Sequence, residues 1–262
     1  MMLTHFPNPK LLVAPSHSSH FSNNSSHFLL KPHHRSFFLN SSFPLQNHNN
    51  PLPRRLFLPA VSGMWDALTG DKRRGDAKLA VARGMALFRQ GDVEGSVAEF
   101  DKAIELDSSQ RAYLWQRGLS LYYVDRFEEG AEQFRLDVAA NPNDTEEAIW
   151  CFLCEAQLYG VAQARQRFLK VGRDRRPVMR EACEMFKECG DPEKLVTAFS
   201  GHSHDYFYAS LYAGLYYESQ NEEEAAKRHI VAAYKSHYGQ RSEDYMAALA
   251  KVHCQCRKWI DD

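Results

Sequence analysis

Residues 111–155 read RAYLWQRGLSLYYVDRFEEGAEQFRLDVAANPNDTEEAIWCFLCE: two amphipathic stretches, a closing Asn141-Pro142-Asn143-Asp144, and a third apolar run. The block 111–144 is echoed upstream. Residues 77–110 align with it without a gap, pairing Arg83 with Arg117, Gly84 with Gly118, Leu87 with Leu121, Glu94 with Glu128 and Phe100 with Phe134. A period of 34 residues is one helix–turn–helix unit, which cannot bury its apolar face alone and must stack on a neighbour. The chain is therefore expected to be all-α, an α-solenoid of antiparallel helix pairs.

Outward from this block the same grammar continues. In the upstream unit, helix A is expected at about 76–90, Gly91-Asp92 makes the turn, and helix B runs through Leu106. Its apolar residues Leu79, Ala82 and Ala86, then Val93, Val97, Phe100 and Ile104, keep a spacing of three to four. The second unit predicts helices over about 111–124 and 127–140, ended before Pro142, which cannot continue a helix. Asp144 with Glu147 three residues on has the form of a capping box. A divergent third repeat covers about 145–172, where Phe152 takes the slot held by Gly84 and Gly118. Pro177 opens a fourth pair at 178–200, in which Asp191-Pro192 is a helix start. A fifth pair at 205–240 returns to register through Gly214, Tyr217, Ala226, Ile230 and Ala233. A last helix at 242–259, started by Ser242, is expected to cap the apolar face of the final pair.

These slots resemble the tetratricopeptide repeat (TPR). Two of them depart from its pattern: Ala80 and Leu114 stand where Trp is usual, and Asp137 replaces the small residue seen at Ala103. Gln116-Arg117-Gly118-Leu119-Ser120-Leu121-Tyr122-Tyr123, the Asn141–Asp144 turn, Trp150–Glu155 and the segment from Phe207 to Tyr217 together resemble the bacterial NlpI TPR family, over about residues 77–236. That resemblance implies an adaptor that dimerises and brings hydrolases and substrates together, by analogy a partner of a C-terminal processing protease. The family's lipoprotein cysteine signal is missing, so outer-membrane anchoring does not carry over. The mature length also resembles a group of plant chloroplast TPR-like proteins, which implies an organelle rather than an activity.

Composition bounds the function. The formal net charge of −1 hides an asymmetry. Residues 1–65 hold no Asp or Glu and five basic residues, leaving 27 basic and 33 acidic residues beyond. An acidic body argues against general nucleic-acid binding, which depends on neutralising phosphates. Residues 1–60 are rich in Ser, Asn, His and Pro and hold seven of the twelve histidines. Their spacing is irregular and no Cys accompanies them, so they predict no metal site. A hydroxylated, basic, acid-free leader reads as a chloroplast transit peptide, with 61–76 as a linker or short anchor and 77–262 as the helical domain. The apolar stretch after Arg54-Arg55 is too short for a thylakoid signal, which places the mature chain in the stroma, with peripheral thylakoid contact as a further expectation.

The inner groove of such an array is lined mainly by helix A of each pair. Lys78, Met85, Phe88, Arg89, Trp115, Leu119, Tyr122 and Tyr123 are expected there, an aromatic and apolar surface suited to a helix or an apolar peptide. The alternative reading of Trp115, Tyr122 and Tyr123 is core. A second candidate is the basic run Arg165, Arg167, Lys170, Arg173, Arg175, Arg176 and Arg180, facing RNA, thylakoid lipid or an acidic protein; its alternative reading is a solvated loop. Cys151, Cys154, Cys183, Cys189, Cys254 and Cys256 are expected as reduced thiols. No phosphate-binding loop, nucleophile elbow or zinc-protease motif occurs. The sequence thus predicts a non-enzymatic adaptor with protein partners, a homodimer among them, serving assembly or turnover of photosynthetic complexes, and no cofactor, metal or small-molecule substrate.

Overall fold

The computed structural model describes residues 62–201 and 203–260, with side chains from Gly70 onward. The expected transit peptide, 1–60, falls outside them. The described residues form helices and no strand. The pairs are α1 (Ser62–Arg89) with α2 (Val93–Leu106), α3 (Trp115–Tyr123) with α4 (Phe127–Ala140), and α5 (Thr145–Tyr159) with α6 (Val161–Gln166). Next come α7 (Pro177–Glu188) with α8 (Pro192–Ala198) and α9 (Ser203–Ser219) with α10 (Glu223–Lys235). A short α11 (His237–Arg241) leads into α12 (Tyr245–Cys256). The all-α, TPR-like architecture read from the sequence is the one observed.

One rule of packing runs through the pairs. Gly84 lies against the Phe100 ring, Gly118 against the Phe134 ring and Gly214 against Ile230, each partner sixteen residues further on. A Cβ at Gly118 would stand 2.6 Å from Phe134 Cζ. The missing side chain on helix A is the space that the large side chain of helix B fills. In the third pair Phe152 stands in the glycine slot and Phe168 in its partner's, with ring centroids 5.9 Å apart. Two rings cannot occupy the space of one. Helix α6 accordingly ends at Gln166, and residues 168–174 run without regular structure, where the spacing predicted a helix B through 172.

The local starts follow from side-chain caps. Asp92, Asp144 and Asp191 accept from the backbone N–H of Gly95, Glu146 and Glu193. The capping box at Asp144 is only half formed, because the Asp144 N–H that Glu147 would accept from donates to the Asn141 carbonyl oxygen. Two boundaries differ from expectation. Helix α1 begins at Ser62, so the stretch expected as a linker is helical there. The second helix A starts at Trp115, because Asp107 caps a 3-10 turn over Ser108–Tyr113 instead.

The final helix differs in its destination. Asp244, not Ser242, caps it, accepting from the N–H of Met246. Rather than closing only the last pair, α12 packs against α10, α11 and also α1. It carries the first and last pairs on one element.

Candidate functional site

The groove expected from helix A is where α12 lies. Its first residue, Tyr245, stacks on Phe88 at 5.0 Å between centroids and meets the edge of Trp115 at 5.3 Å. The Arg89 guanidinium sits 5.5 Å from the Tyr245 ring and donates to the carbonyl oxygen of Glu243. One turn from its end, His253 places Nδ1 2.9 Å from the Tyr123 hydroxyl and Nε2 3.4 Å from Glu218 Oε1. Arg257 Nε donates to the same Glu218 oxygen at 2.6 Å. Burial opposes the charge on Glu218, but His253 and Arg257 beside it hold the carboxyl down to about 2. Through Glu218 Oε1, Arg257 and the Tyr123–His253 bond this cluster fastens the end of α12 to α3 and α9, while Glu218 Oε2 is buried without a hydrogen-bond partner.

The eight groove residues divide. Phe88, Leu119, Tyr122 and Tyr123 are buried. Tyr122 is closed in by Tyr123, Phe127 and Trp150 at 5.3–5.5 Å. Burial raises both phenols well above their ordinary value, so they stay protonated. Met85 and Trp115 are half-buried, while Lys78 and Arg89 are exposed. What remains open beside α12 is a cleft of about 600 Å³ lined by Arg89, Glu243, Asp244, Ala247, Ala248 and Lys251 among others.

The residues missed by sequence reasoning are Tyr245, His253, Arg257 and Glu218. A signal for them existed. Helix α12 reads YMAALAKVHCQC, with Lys251 its only residue of fixed charge. A helix covering the end of an array needs a polar outer face; one that is apolar over most of its circumference is buried on several sides.

The basic run is also divided by its surroundings. Arg176 bonds Glu146 at 2.7 Å and Asp174 at 2.8 Å. Tyr212 donates to the other oxygen of Glu146, and Thr145 to Asp174. Arg180 donates to the carbonyl oxygens of Asp174 and Arg175, and Arg165 to that of Phe186. Arg167 lies 4.7 Å over the Tyr159 ring. Those four cations hold the structure. Lys170, Arg173 and Arg175 are exposed with no ion pair to another described residue.

Asp137, the departure from the small-residue slot, is buried and accepts from Gln133 Nε2 at 3.0 Å. Burial pushes its carboxyl up to about 7. The cysteines are free thiols; Cys151, Cys154, Cys183 and Cys254 are buried, Cys256 is partly so and Cys189 is exposed. Burial pushes the Cys151 and Cys254 thiols up to about 12, far from a reactive thiolate. Among the described residues no His, Cys, Asp and Glu groups gather as metal ligands, and no helix is long and apolar enough to cross a membrane.

No family model matches the chain. Among curated proteins it is similar to a Haemophilus influenzae protein described as a lipoprotein NlpI homolog, 31% identical over 75 residues. The match covers 29% of this chain and 24% of that protein, so the chain spans about a quarter of the length of the relative it matches.

Proposed function

We propose that this chain is a non-enzymatic adaptor that holds a partner protein at the groove margin around α12. The observation that carries the reading is the cleft beside α12, in which Arg89, Glu243 and Lys251 present charge next to the apolar Ala247 and Ala248. Of the sequence-expected groove residues only Arg89 lines this cleft; Lys78, Met85 and Trp115 are not fully buried but lie outside its lining. The similarity to the NlpI homolog supports an interaction role for such an array. An amphipathic helix laid along this margin would find apolar contact flanked by both signs of charge.

The test is capture by the full chain beside an Ala248→Asp, Lys251→Glu double variant, with helicity read by circular dichroism. A partner retained by the wild type and lost by an equally helical variant supports the margin as the site. Identical partner sets from both baits reject it.

The compartment we infer is the chloroplast stroma, supported by the acid-free, Ser- and Pro-rich residues 1–60. Residues 1–65 fused to a fluorescent protein should direct it into plastids of plant cells. A diffuse cytosolic signal, or a mitochondrial one, sinks this inference.

A further inference from the structure

Among the described residues, 168–174 form a seven-residue break in the helical array with no regular structure. The segment reads Phe-Leu-Lys-Val-Gly-Arg-Asp. It is pinned at its centre, where Gly172 N–H donates to the Pro142 carbonyl oxygen at 2.7 Å. A side chain at Gly172 would displace the exposed Asn143 side chain, while the Pro142 carbonyl oxygen would stay at ordinary contact distance. On either side, the N–H groups of Leu169, Lys170, Val171 and Arg173 make no hydrogen bond within the described residues. Leu169 and Val171 pack toward the core while Lys170 between them is exposed, the alternation of an extended chain. The segment thus carries a run of main-chain N–H groups with no protein acceptor, outside any regular element.

The segment lines a cleft of about 700 Å³, whose opposite wall is α7 through Arg180, Cys183, Glu184 and Lys187. The charges on the two walls differ in kind. On α7, Lys187 is paired with Glu184 at 3.8 Å, and Glu181 is exposed with no ion pair to a described residue. On the segment, Lys170 and Arg173 have no acidic partner, and the nearby Asp174 is taken by Arg176 and Thr145. The cleft therefore offers main-chain donors and acceptors, apolar contact from Phe168 and Leu169, and two cations without an ion pair along one side, against the single unpaired acid Glu181 on the other.

We propose that the segment 168–174 is a docking edge for an acidic peptide in extended conformation, paired through its main chain with Lys170 flanking the register and Arg173 at its end. A peptide backbone is the ligand that satisfies unpaired N–H and C=O groups in a row, and acidic side chains answer Lys170 and Arg173. RNA fits less well, because the only aromatic of the cleft, Phe168, is half-buried and leaves no ring on which a base could stack. This surface shares no residue with the groove margin, so each proposal can fail alone.

The probe is a fluorescein-labelled pool of heptapeptides in which Glu alternates with each apolar residue in turn, titrated against the full chain. A second pool carries N-methyl groups on the amides that would face the edge. The pool should bind, weaken as salt rises, and lose about tenfold or more in affinity both on N-methylation and in the Lys170→Glu, Arg173→Glu double variant. A Lys235→Glu variant, whose charge changes by two units outside the cleft, should bind as the wild type does. Hydrogen exchange should slow at residues 169–173 in the complex. No binding from any member of the pool, or equal binding of the methylated pool, overturns the proposal. So does binding of an oligouridylate or of phosphatidylglycerol vesicles in place of the peptides, which would assign the free cations to nucleic acid or to a lipid surface.

Discussion

At Gly118 a single hydrogen atom decides how closely two helices meet. Replacing it with a methyl brings that carbon to 2.6 Å from the Phe134 ring, and the same exchange at Gly214 meets the backbone of α10 at 3.0 Å as well as Ile230. Gly84 is more forgiving, since its Cβ would stand 3.0 Å from the Phe100 ring alone. Gly75, in the same helix as Gly84, has nothing within 4 Å. Ala is worth about 0.5–1 kcal/mol more than Gly inside a helix, whereas overpacking costs about 1–3 kcal/mol. The four changes to Ala should therefore order themselves by space rather than by helix propensity. Gly75→Ala is expected to stabilise, Gly84→Ala to be near neutral, and Gly118→Ala and Gly214→Ala to destabilise by about 1–3 kcal/mol in urea unfolding. Equal effects at all four positions would mean that the glycine slots do not set helix approach. The slots themselves were legible, because each glycine and its large partner recur at a fixed spacing of sixteen residues. What Phe152 does in that slot was legible only in part: its size announces a departure, but the shortening of α6 and the extended segment after it depend on where the displaced Phe168 ring can go.

Helix α12 is held by packing at one end and by charge at the other. Its buried face runs from Tyr245 and Met246 through Leu249 and Val252, while the far end depends on Glu218, His253 and Arg257. The folded carboxyl of Glu218 sits at about 2, below its ordinary 4.5. A depressed carboxylate contributes stability that is fully present above the unfolded value and is lost as pH falls through the folded one. Glu218→Gln removes the anion from beside His253 and the Arg257 guanidinium and should cost about 3 kcal/mol at pH 7. The gap in Tm between wild type and variant should shrink steadily as the pH is lowered from about 4.5 toward 2. A gap independent of pH would show that the loss comes from packing and not from the carboxylate. The helix was visible in the sequence and its destination was not, for a physical reason. Periodicity reports how much of a helix is buried but not which surface buries it, and Phe88 and Tyr245 are far apart in the chain. The basic run repeats the lesson. Seven cations are plain to read, but their sorting into four structural and three free ones depends on Glu146, Phe186 and Tyr159, which no local pattern joins to them.

Across the whole molecule, α12 changes how the array should unfold. In an open array each pair touches only its neighbours, so stability is a sum of local terms and the ends can fray by themselves. Here α12 packs on both α1 and α10, and Tyr123 of the second pair is bonded to His253. Loss of the first pair would expose Phe88 and the stacked face of Tyr245 together, and loss of α12 would uncover Tyr123 with its hydroxyl unpaired. Each such step removes apolar burial and exchanges a protein hydrogen bond for one to water, the latter at about 0.5–1.5 kcal/mol per bond. The pairs are thereby tied into one cooperative unit. Urea unfolding of the intact chain should give a single transition, coincident by far-ultraviolet circular dichroism and by Trp fluorescence. A chain stopped after Gln240 should instead lose helix in two steps, the earlier one reporting Trp115 as it becomes wet. Hydrogen exchange would place that step, with α1 and α2 losing protection before α9 and α10. A truncated chain that still unfolds in one step, at an unchanged midpoint, would mean that α12 rests on the groove without joining its two ends. The groove would then be open to a partner helix of similar apolar face, in competition with the chain's own.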